Sequence, residues 1–496
     1  MSLIEANDAF RELGEWAVST EAGDLPLHVV ERRVEAEGRE ALRKVLQAHI
    51  NSRGPGDVGP APGVRVLDDE GGVRTCAERR EAPRNVQSIF GEVVANRLAY
   101  IAPGLQAVHP LDEKLELPAQ SFSNEVQRRA ARAAVQGPFS EAAERLREET
   151  GLPIPKRSVE QIVRGGAEDF DGFYDQRVPA DAATTGSILV GGVDGKGVPM
   201  VKADRPKPRP GRKKGKKAKK RPGVKRMATV ASVHTQAPRP RTPEEVVDSL
   251  FRTGPVALDG PNPQRERSKP EHRRVWASLF KPKEAVIADM AAEMGRRDPE
   301  HNKTHVVLTD GERALQLRVR AVVPDALLIL DIIHVLGYLW RVANVLHGEA
   351  EGSGEASDWV RTHVLWILQG RVSQVVKGMR QSATKRRLSG TKAKIVQGAA
   401  LYLYRNRHSM RYHDYLAAGL PIASGAVEGA CKNLVKDRME RSGMFWTKAT
   451  AEALLKLRAA YVSGDFDEYW AYHVKSEQSR LHPPTRWSTA TRSVAK

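Results

Sequence analysis

The sequence of 496 residues predicts an α/β protein of several domains, the largest of which is a mixed α/β domain. Five short apolar segments lie between residues 186 and 331, and amphipathic helical segments follow the third, fourth and fifth of them. The resulting order is β-β-β-α-β-α-β-α. A mostly helical block follows this domain, and a helix-turn-helix pattern and a small β module precede it.

The chain begins with two amphipathic segments, LIEANDAFRELGEWAVS and LHVVERRVEAEGREALRKVLQAHI, which are followed by the Gly/Pro-rich sequence RGPGDVGPAPG. We therefore expect a separate helical segment over residues 1–60. Short strand-like pieces such as VQSIFGEVVANRLAYI follow and predict a small β module over residues 61–118.

Residues 119–166 have the pattern of a helix-turn-helix. One helix ends at a turn at Gly151, and a second is expected from about Pro155 to Arg164. The apolar positions through which the helices would pack are Ala142, Leu146, Ile154, Val159 and Ile162. The polar side chains that the second helix would offer to DNA are Lys156, Arg157, Ser158, Gln161 and Arg164. Such helix pairs are also common in plain bundles, so DNA contact and simple packing both stay open.

After a linker near residues 166–186, the mixed α/β domain is predicted over residues 186–348. Its strands are SILVGGVD, KRMATVASVHT, HRRVWASLF, THVVLTD and ALLILD, and a basic loop over residues 205–226 joins the first two. The helical block covers residues 349–420. Residues 421–465 complete the domain, and we expect a frayed tail over residues 466–496.

The basic loop carries most of the excess charge. The formal net charge is +18, and the loop contains 13 Lys or Arg residues and no acidic residue, which leaves only +5 for the rest of the chain (18 less 13). Such a segment gains affinity for phosphates by releasing their counterions, although a solvated linker has the same composition. The expected DNA contacts within it are Lys213, Lys214, Lys216, Lys217, Lys219 and Lys220.

Other features of the composition limit the compartment and the class of protein. The two cysteines, Cys76 and Cys431, are too few for a disulfide framework or a cysteine-built zinc site, which favours a reducing cytoplasm. The longest apolar stretch, AVVPDALLILDIIHVLGYLW, is interrupted by proline and charged residues, and the N-terminal sequence has no secretory pattern. We therefore expect no membrane association.

Three acidic residues lie at the ends of predicted elements that are far apart in the sequence. Asp194 closes SILVGGVD, Asp310 closes THVVLTD, and Glu428 lies in SGAVEGACKNLVKDRMERSGMFW. Carboxylates are the ligands that Mg²⁺ and Mn²⁺ prefer, and two such ions catalyse hydrolysis and transesterification of phosphodiesters. We therefore predict all three as metal ligands and catalytic residues for two Mg²⁺ or Mn²⁺ ions. Each Asp-Gly pair is also an ordinary turn signal, which is the alternative for either aspartate alone.

Neighbouring side chains fit a nucleic-acid substrate. The cations that follow Glu428, which could grip phosphates or simply form salt bridges on a solvated helix, are Lys432, Lys436, Arg438 and Arg441. Asp331 and His334, in LDIIH, are expected to be an accessory pair beside the metal ligands. Trp446 is a candidate to stack on an unpaired base, whereas Trp340 is expected to pack in the core.

The order of elements, with aspartates after the first and fourth strands, resembles the ribonuclease H-like fold of retroviral-type integrases and DDE transposases. The motifs VDGKGVP, VVLTDGERAL, DIIHVLGYLW and SGAVEGACKNLVKDRMERSGMFW are similar to those of DDE transposases of bacterial insertion sequences, especially the Kra group, which is related to Mutator-like transposases. The resemblance covers about residues 85–465. It implies metal binding by Asp194, Asp310 and Glu428, an accessory motif at Asp331 and His334, and a helical insertion within a ribonuclease H-like core.

The resemblance also implies a function. A transposase of this kind cleaves the inverted-repeat ends of an insertion sequence and joins them to target DNA, acts as a homodimer or larger assembly on DNA, and is a cytoplasmic, nucleoid-associated bacterial protein. Relatives often have a cysteine zinc ribbon where this chain has Cys76 alone, so the β module is expected to be a degenerate, zinc-free version. The alternative is a noncatalytic DNA-binding protein derived from a transposase.

Overall fold

The computed structural model describes residues 3–68, 70–206, 224–251, 269–348, 354–483 and 486–489. The chain divides into two compact units: residues 1–176 together with 465–496, and residues 177–464. The expected DNA contacts of the basic loop, Lys213, Lys214, Lys216, Lys217, Lys219 and Lys220, lie outside the described residues. None of the helices in the described ranges combines the length and the apolar character that crossing a membrane requires.

The helices of the first unit that precede residue 177 include those that the sequence predicts and also others that it does not. They are α1 (Leu3–Ala17), α2 (Thr20–Gly23), α3 (Leu27–Ser52), α4 (Pro110–Lys114), α5 (Asn124–Gln136), α6 (Phe139–Thr150), α7 (Lys156–Gly165) and α8 (Phe170–Gln176). The predicted N-terminal helices are α1 and α3, and a small apolar cluster that includes Leu13, Trp16 and Val30 packs between them. Helix α8 lies in the segment that the sequence suggested to be a linker.

The small β module consists of six short strands, as expected. They are β1 (Arg65–Leu67), β2 (Val73–Thr75), β3 (Glu78–Glu81), β4 (Arg84–Ser88), β5 (Gly91–Ala95) and β6 (Leu98–Ile101). Strand β3 pairs with β6, β4 pairs with β5, and β1 pairs with β2. Cys76 is buried in the apolar core of this module, among Val64, Tyr100 and Val108.

Helices α6 and α7 form the predicted helix-turn-helix. Gly151 ends α6 with a φ of 69°, in the left-handed region that favours glycine, and its N–H donates to Arg147 O. All five predicted apolar contact positions are buried. Lys156, Arg157 and Gln161 are exposed on α7, so their side chains are free of the core, and their contact with DNA stays a prediction.

The C-terminal segment, which we expected to be a frayed tail, contains regular structure in its described residues, 466–483 and 486–489, and belongs to the first unit. Residues Phe466–Leu481 form a helix, and Trp487–Ser488 form a strand that pairs with β1. Tyr469 explains part of this order: its ring packs against Phe170 and Phe173 of α8, and its hydroxyl donates to Gly166 O. Aromatic burial outweighs the polar, proline-containing end of the sequence.

The second unit is built on a mixed sheet of five strands, which confirms the predicted α/β character. The strands are β7 (Ile188–Pro199), β8 (Lys225–Gln236), β9 (Glu271–Ser278), β10 (Thr304–Thr309) and β11 (Leu327–Leu330). The order across the sheet is β11-β10-β7-β8-β9. Strand β8 is antiparallel to both β7 and β9, whereas β10 is parallel to both β7 and β11.

The helices of the second unit include the predicted helical block. They are α9 (Pro243–Leu250), α10 (Lys283–Arg297), α11 (Arg313–Val322), α12 (Ile332–His347), α13 (Gly354–Leu368), α14 (Val372–Lys385), α15 (Gly390–Asn406), α16 (Tyr412–Ala417), α17 (Gly425–Ala430), α18 (Asp437–Met439) and α19 (Lys448–Ser463). The block is α13 to α16. The sequence analysis missed α9, a short helix that starts at a capping box formed by Thr242 and Glu245.

Helices cover both faces of the sheet. On one face, apolar side chains of the central strands, such as Val190 and Leu308, share a continuous core with α12 to α16. On the other face, Met290 and Met294 of α10 lie against Gly191 of β7. The helical block therefore packs on the same face as the even-numbered residues of β7, and this determines which elements surround the site described next.

Candidate metal centre

Three aspartates lie in one row across the carboxyl ends of the parallel strands. The paired register of β7 and β10 ends at Gly192 and Leu308, two residues before Asp194 and Asp310. The paired register of β10 and β11 continues to the residues just before Asp310 and Asp331. Residues at equal positions on parallel neighbours point to the same face. The three carboxylates therefore lie together on the face that carries the helical block.

The position of Asp194 differs from the expectation in one respect. Strand β7 does not end there but continues to Pro199, paired with β8 throughout. The edge of the sheet nevertheless falls at Asp194, because β10 stops pairing with β7 two residues earlier.

Helix α17 brings Glu428 to this row because β7 has a glycine beneath it. A Cβ at Gly192 would lie 3.1 Å from Val427 Cβ and 3.1 Å from Ser232 Oγ, so a larger residue would push the helix away. Gly192 and Asp194 point to the same face of β7. The close approach of α17 thus places Glu428, which follows Val427, on the face of the carboxylates.

A π-helix continues α17 from Cys431 to Lys436. Such wide turns are rare and often occur at functional sites. The Cys431 thiol donates a hydrogen bond to Asp194 Oδ2 over 3.3 Å, and the Gly195 N–H donates to Asp194 Oδ1 over 2.6 Å. Both oxygens of Asp194 therefore have a fixed direction.

The tightest cluster consists of Asp331, His334 and Glu428. One ligand atom from each lies within 4.8 Å of those of the other two, a spacing that could hold a metal ion, and it is the one such cluster in the described part of the chain. The pair predicted as accessory therefore joins Glu428. Asp194 and Asp310 stand outside the cluster, so of the three predicted ligands only Glu428 belongs to it.

Asp331 is held rigidly. Its carboxylate is buried and accepts hydrogen bonds from the Ile333 N–H over 2.9 Å, from His334 Nδ1 over 3.1 Å and from the Ser424 hydroxyl. Burial alone would raise the pKa of Asp331, but these hydrogen bonds, with that of His334 foremost, hold the pKa below its ordinary value. Asp331 is therefore ionised and aligned toward the centre.

The pKa values of both Glu428 and His334 are raised at this centre. Burial and the charge of Asp331 raise the pKa of Glu428, and Asp194 adds to the effect. The hydrogen bond to Asp331 raises the pKa of His334 despite partial burial, and the charges of Asp310 and Glu428 contribute. Since each carboxylate influences a group in the cluster, the site has the electrostatic character of a place for a cation.

Asp310 is supported by the helical block. Its Oδ1 accepts from the Glu312 N–H over 2.9 Å, and its carbonyl oxygen accepts from the Tyr402 hydroxyl of α15 over 2.7 Å. The Tyr402 ring stacks on Tyr338 of α12, with ring centroids 3.9 Å apart. The block therefore helps to fix the backbone at the end of β10.

The cations predicted around Glu428 have different environments. Lys432, Lys436 and Arg441 are exposed and could reach a phosphate. Arg438, expected to contact DNA, is instead fully buried, and its guanidinium lies 5.0 Å from the centroid of the Trp446 ring. Arg438 was predicted only because it follows Glu428 closely in the sequence, and such nearness does not distinguish a buried cation from an exposed one.

The two tryptophans also differ from one another in outcome. Trp340 packs against the apolar core, as expected. Trp446 is only 6% exposed, and its Nε1 donates to Met439 O, so it offers no free ring face for a base. Its neighbour Phe445 is the exposed aromatic residue of this motif.

Three residues near the centre were not predicted: Cys431, Ser424 and Tyr402. Cys431 lies three positions after Glu428, close to one helical turn, and this spacing could have identified it. Ser424 and Tyr402 carry no local signal, because only the folded chain brings them to Asp331 and Asp310.

The sequence matches no family model, and no curated protein matches it either. The likeness to transposases therefore stays an expectation from the sequence motifs.

Proposed function

We propose that this protein is a DDE transposase, and that its second unit is a ribonuclease H-like core interrupted by the helical block. The strand order, with an antiparallel hairpin of three strands followed by two parallel strands, supports the proposed fold. The row formed by Asp194, Asp310 and Asp331, with Glu428 brought to it by α17, is the observation that carries the proposal. It gathers carboxylates from positions up to 234 residues apart (194 to 428).

The residues present fit divalent metal ions. The donor set is rich in carboxylates, which suits Mg²⁺ or Mn²⁺, and the charge of Asp331 adds to burial in raising the pKa of Glu428. Asp331, His334 and Glu428 would hold one ion, and a second ion would need Asp194 and Asp310, which stand outside that cluster. When bound, these ions neutralise phosphate charge and activate the attacking water or hydroxyl group.

Groups of the protein itself fix the direction of the carboxylates at this centre. Cys431 and the Gly195 N–H hold Asp194 in one orientation, and Ser424 and His334 hold Asp331. A carboxylate whose direction is fixed loses little freedom when it binds its partner, which is the advantage of preorganisation.

Exposed cations extend the proposed site toward DNA. Lys432, Lys436 and Arg441 follow the centre directly, and the basic loop of residues 205–226 joins the two strands beside Asp194. We propose that they hold phosphates, and that α7 of the helix-turn-helix reads the inverted-repeat ends of the element. A homodimer or larger assembly would pair two ends.

The proposal is tested by DNA cleavage with the full-length protein. The substrate is a plasmid that carries the DNA flanking the gene on both sides, incubated with Mg²⁺ or with EDTA. We expect Mg²⁺-dependent nicking at the element ends, and about a 100-fold or greater loss of rate in Asp194→Asn, because removing a ligand charge sacrifices several kcal/mol of transition-state stabilisation.

The matched control is Asp289→Asn, an exposed aspartate on α10 that pairs with Lys281. It should keep the wild-type rate, and both variants should keep wild-type thermal stability and DNA affinity. Cleavage that persists in Asp194→Asn would come from another nuclease and would refute the assignment. Tight DNA binding without any cleavage would instead support the alternative, a noncatalytic DNA-binding protein derived from a transposase.

A further inference from the structure

Two exposed phenylalanines of the second unit each have a cation against the ring. Phe280, two residues after β9, is 53% exposed, and Lys448 Nζ lies 3.7 Å from its ring centroid. Phe445 is 54% exposed, and the guanidinium of Arg205 lies 5.7 Å from its ring centroid. A single exposed apolar residue is ordinary, but a group of them marks a surface of interaction.

These residues belong to one surface. The Lys448 N–H donates to Asp204 Oδ2 over 2.9 Å, and the Val201 N–H donates to Trp446 O over 2.9 Å, so the segments on either side of Arg205 and Phe445 are held together. We call Arg205, Phe280, Phe445 and Lys448 the Phe280–Phe445 surface.

The Phe280–Phe445 surface adjoins the end of β7, the strand that carries Asp194, because Arg205 Nε donates to Met200 O over 3.2 Å. Arg205 is also the first cation of the basic sequence over residues 205–226.

We propose that the Phe280–Phe445 surface binds unpaired nucleotides of the DNA substrate, with bases stacked on the two rings and phosphates at Arg205 and Lys448. The inference rests on the proposed function, which makes DNA the substrate. Bases offer an apolar π face and a negative phosphate at short spacing, which matches rings that each carry a cation. An apolar protein partner would have to desolvate both cations, which opposes that occupant.

The chemistry of stacking distinguishes the strands that this surface can hold. Bases within a duplex are stacked on one another and present only their edges, whereas bases at a frayed or opened end present a free face. The surface should therefore prefer single strands and duplexes with unpaired ends over blunt duplexes.

The test measures the affinity of the full-length Asp194→Asn protein, which cannot cleave, for a single-stranded 12-mer and for a blunt duplex of the same sequence. We expect Phe280→Ala and Phe445→Ala each to weaken single-strand binding by about 5- to 100-fold, the effect of losing one stacked base, with a much smaller effect on the duplex. Phe445→Trp should retain the affinity, and Phe445→Leu should not, because leucine keeps apolar bulk but offers no ring.

Salt dependence separates the two kinds of contact. Lys448→Gln should reduce the slope of log affinity against log salt concentration by about 0.7, the value for one phosphate contact on a single strand, whereas the phenylalanine variants should leave the slope unchanged. The matched control is Leu317→Ala, which removes another exposed apolar side chain, 59% exposed on α11, and should change nothing.

Four results would overturn the inference. Equal loss in Leu317→Ala and in the phenylalanine variants would indicate a general effect of apolar surface, and unchanged binding with an altered oligomeric state would identify a protein interface. If wild-type protein cleaves element ends while the phenylalanine variants bind normally, this inference alone fails. If the protein binds no DNA at all, the proposed function fails with it.

Discussion

Glu293 joins α10 to the sheet through a buried cluster of charges, and its replacement should destabilise the second unit in a pH-dependent way. Its Oε2 lies 2.6 Å from Arg274 Nη1 of β9, and its Oε1 lies 2.7 Å from Arg297 Nη2. Its side chain is only 7% exposed. Burial raises the pKa of Glu293, but the charges of Arg274 and Arg297 outweigh burial and lower it to about 2.

The free energy that this carboxylate contributes follows from the two pKa values. An unfolded glutamate has a pKa of about 4.3, so the gap of roughly 2 units corresponds to about 3 kcal/mol. Because the folded pKa of Glu293 is the lower one, this stabilisation is complete above about pH 4.3 and is lost as the pH falls toward 2. Glu293→Gln keeps the shape of the side chain but removes the charge, so it removes this pH dependence.

The measurement is calorimetric unfolding of the wild type and of Glu293→Gln between pH 3 and pH 7. We expect the variant to be less stable by about 3 kcal/mol at pH 7, and the difference to shrink as the pH approaches 3. The control is Glu284→Gln on the same helix, where a fully exposed carboxylate pairs with Arg318 and should contribute little. A constant difference between wild type and Glu293→Gln at every pH would refute the electrostatic reasoning.

Two further predictions concern the metal centre. Cys431→Ala should weaken Mn²⁺ binding by about 10-fold, because Asp194 loses its thiol donor. Binding is measured by electron paramagnetic resonance, and Cys431→Ser should restore it. Equal Mn²⁺ binding in the wild type and both variants would show that Cys431 has no such role. Gly311→Ala should lower the thermal stability and the rate of cleavage, because the φ of Gly311 is 84° and an added Cβ would lie 2.8 Å from the Tyr402 hydroxyl oxygen. The control is Gly337→Ala, where an added Cβ meets open space inside a helix. This variant should be more stable than the wild type by about 0.5–1 kcal/mol.

Most elements of the second unit could be predicted because apolar residues follow one another in the strands and recur at helical spacing in the helices. The strands of the sheet are short apolar runs bounded by turn residues, and α12 has apolar positions at helical spacing. Helix α9 was not predicted because it is short and its start depends on a capping box. The C-terminal helix, Phe466–Leu481, was not predicted because aromatic contacts with α8, which is distant in sequence, stabilise it.

The candidate site could be predicted only as a set of residues. Asp194, Asp310 and Glu428 were found because each ends or follows an apolar element, and topology then aligns the two aspartates. The close grouping of Glu428 with Asp331 and His334 depends on side-chain hydrogen bonds that no spacing encodes. The π-helix likewise has no simple sequence signature, and it changes the angular spacing of the residues that follow Glu428.

The charge distribution favours a catalytic protein over one that only binds DNA. A chain with a net charge of +18 attracts phosphates, yet it gathers Asp194, Asp310, Asp331 and Glu428 at one end of its central sheet. The charges of Asp331 and Asp194 add to burial in raising the pKa of Glu428, and the carboxylates would also repel a phosphate brought near by the neighbouring lysines. For a simple DNA-binding surface such a cluster weakens the interaction. In an enzyme, metal cations would lie between the carboxylates and the phosphate. The carboxylates would then bind these cations at the point of cleavage, and the cations would remove the repulsion.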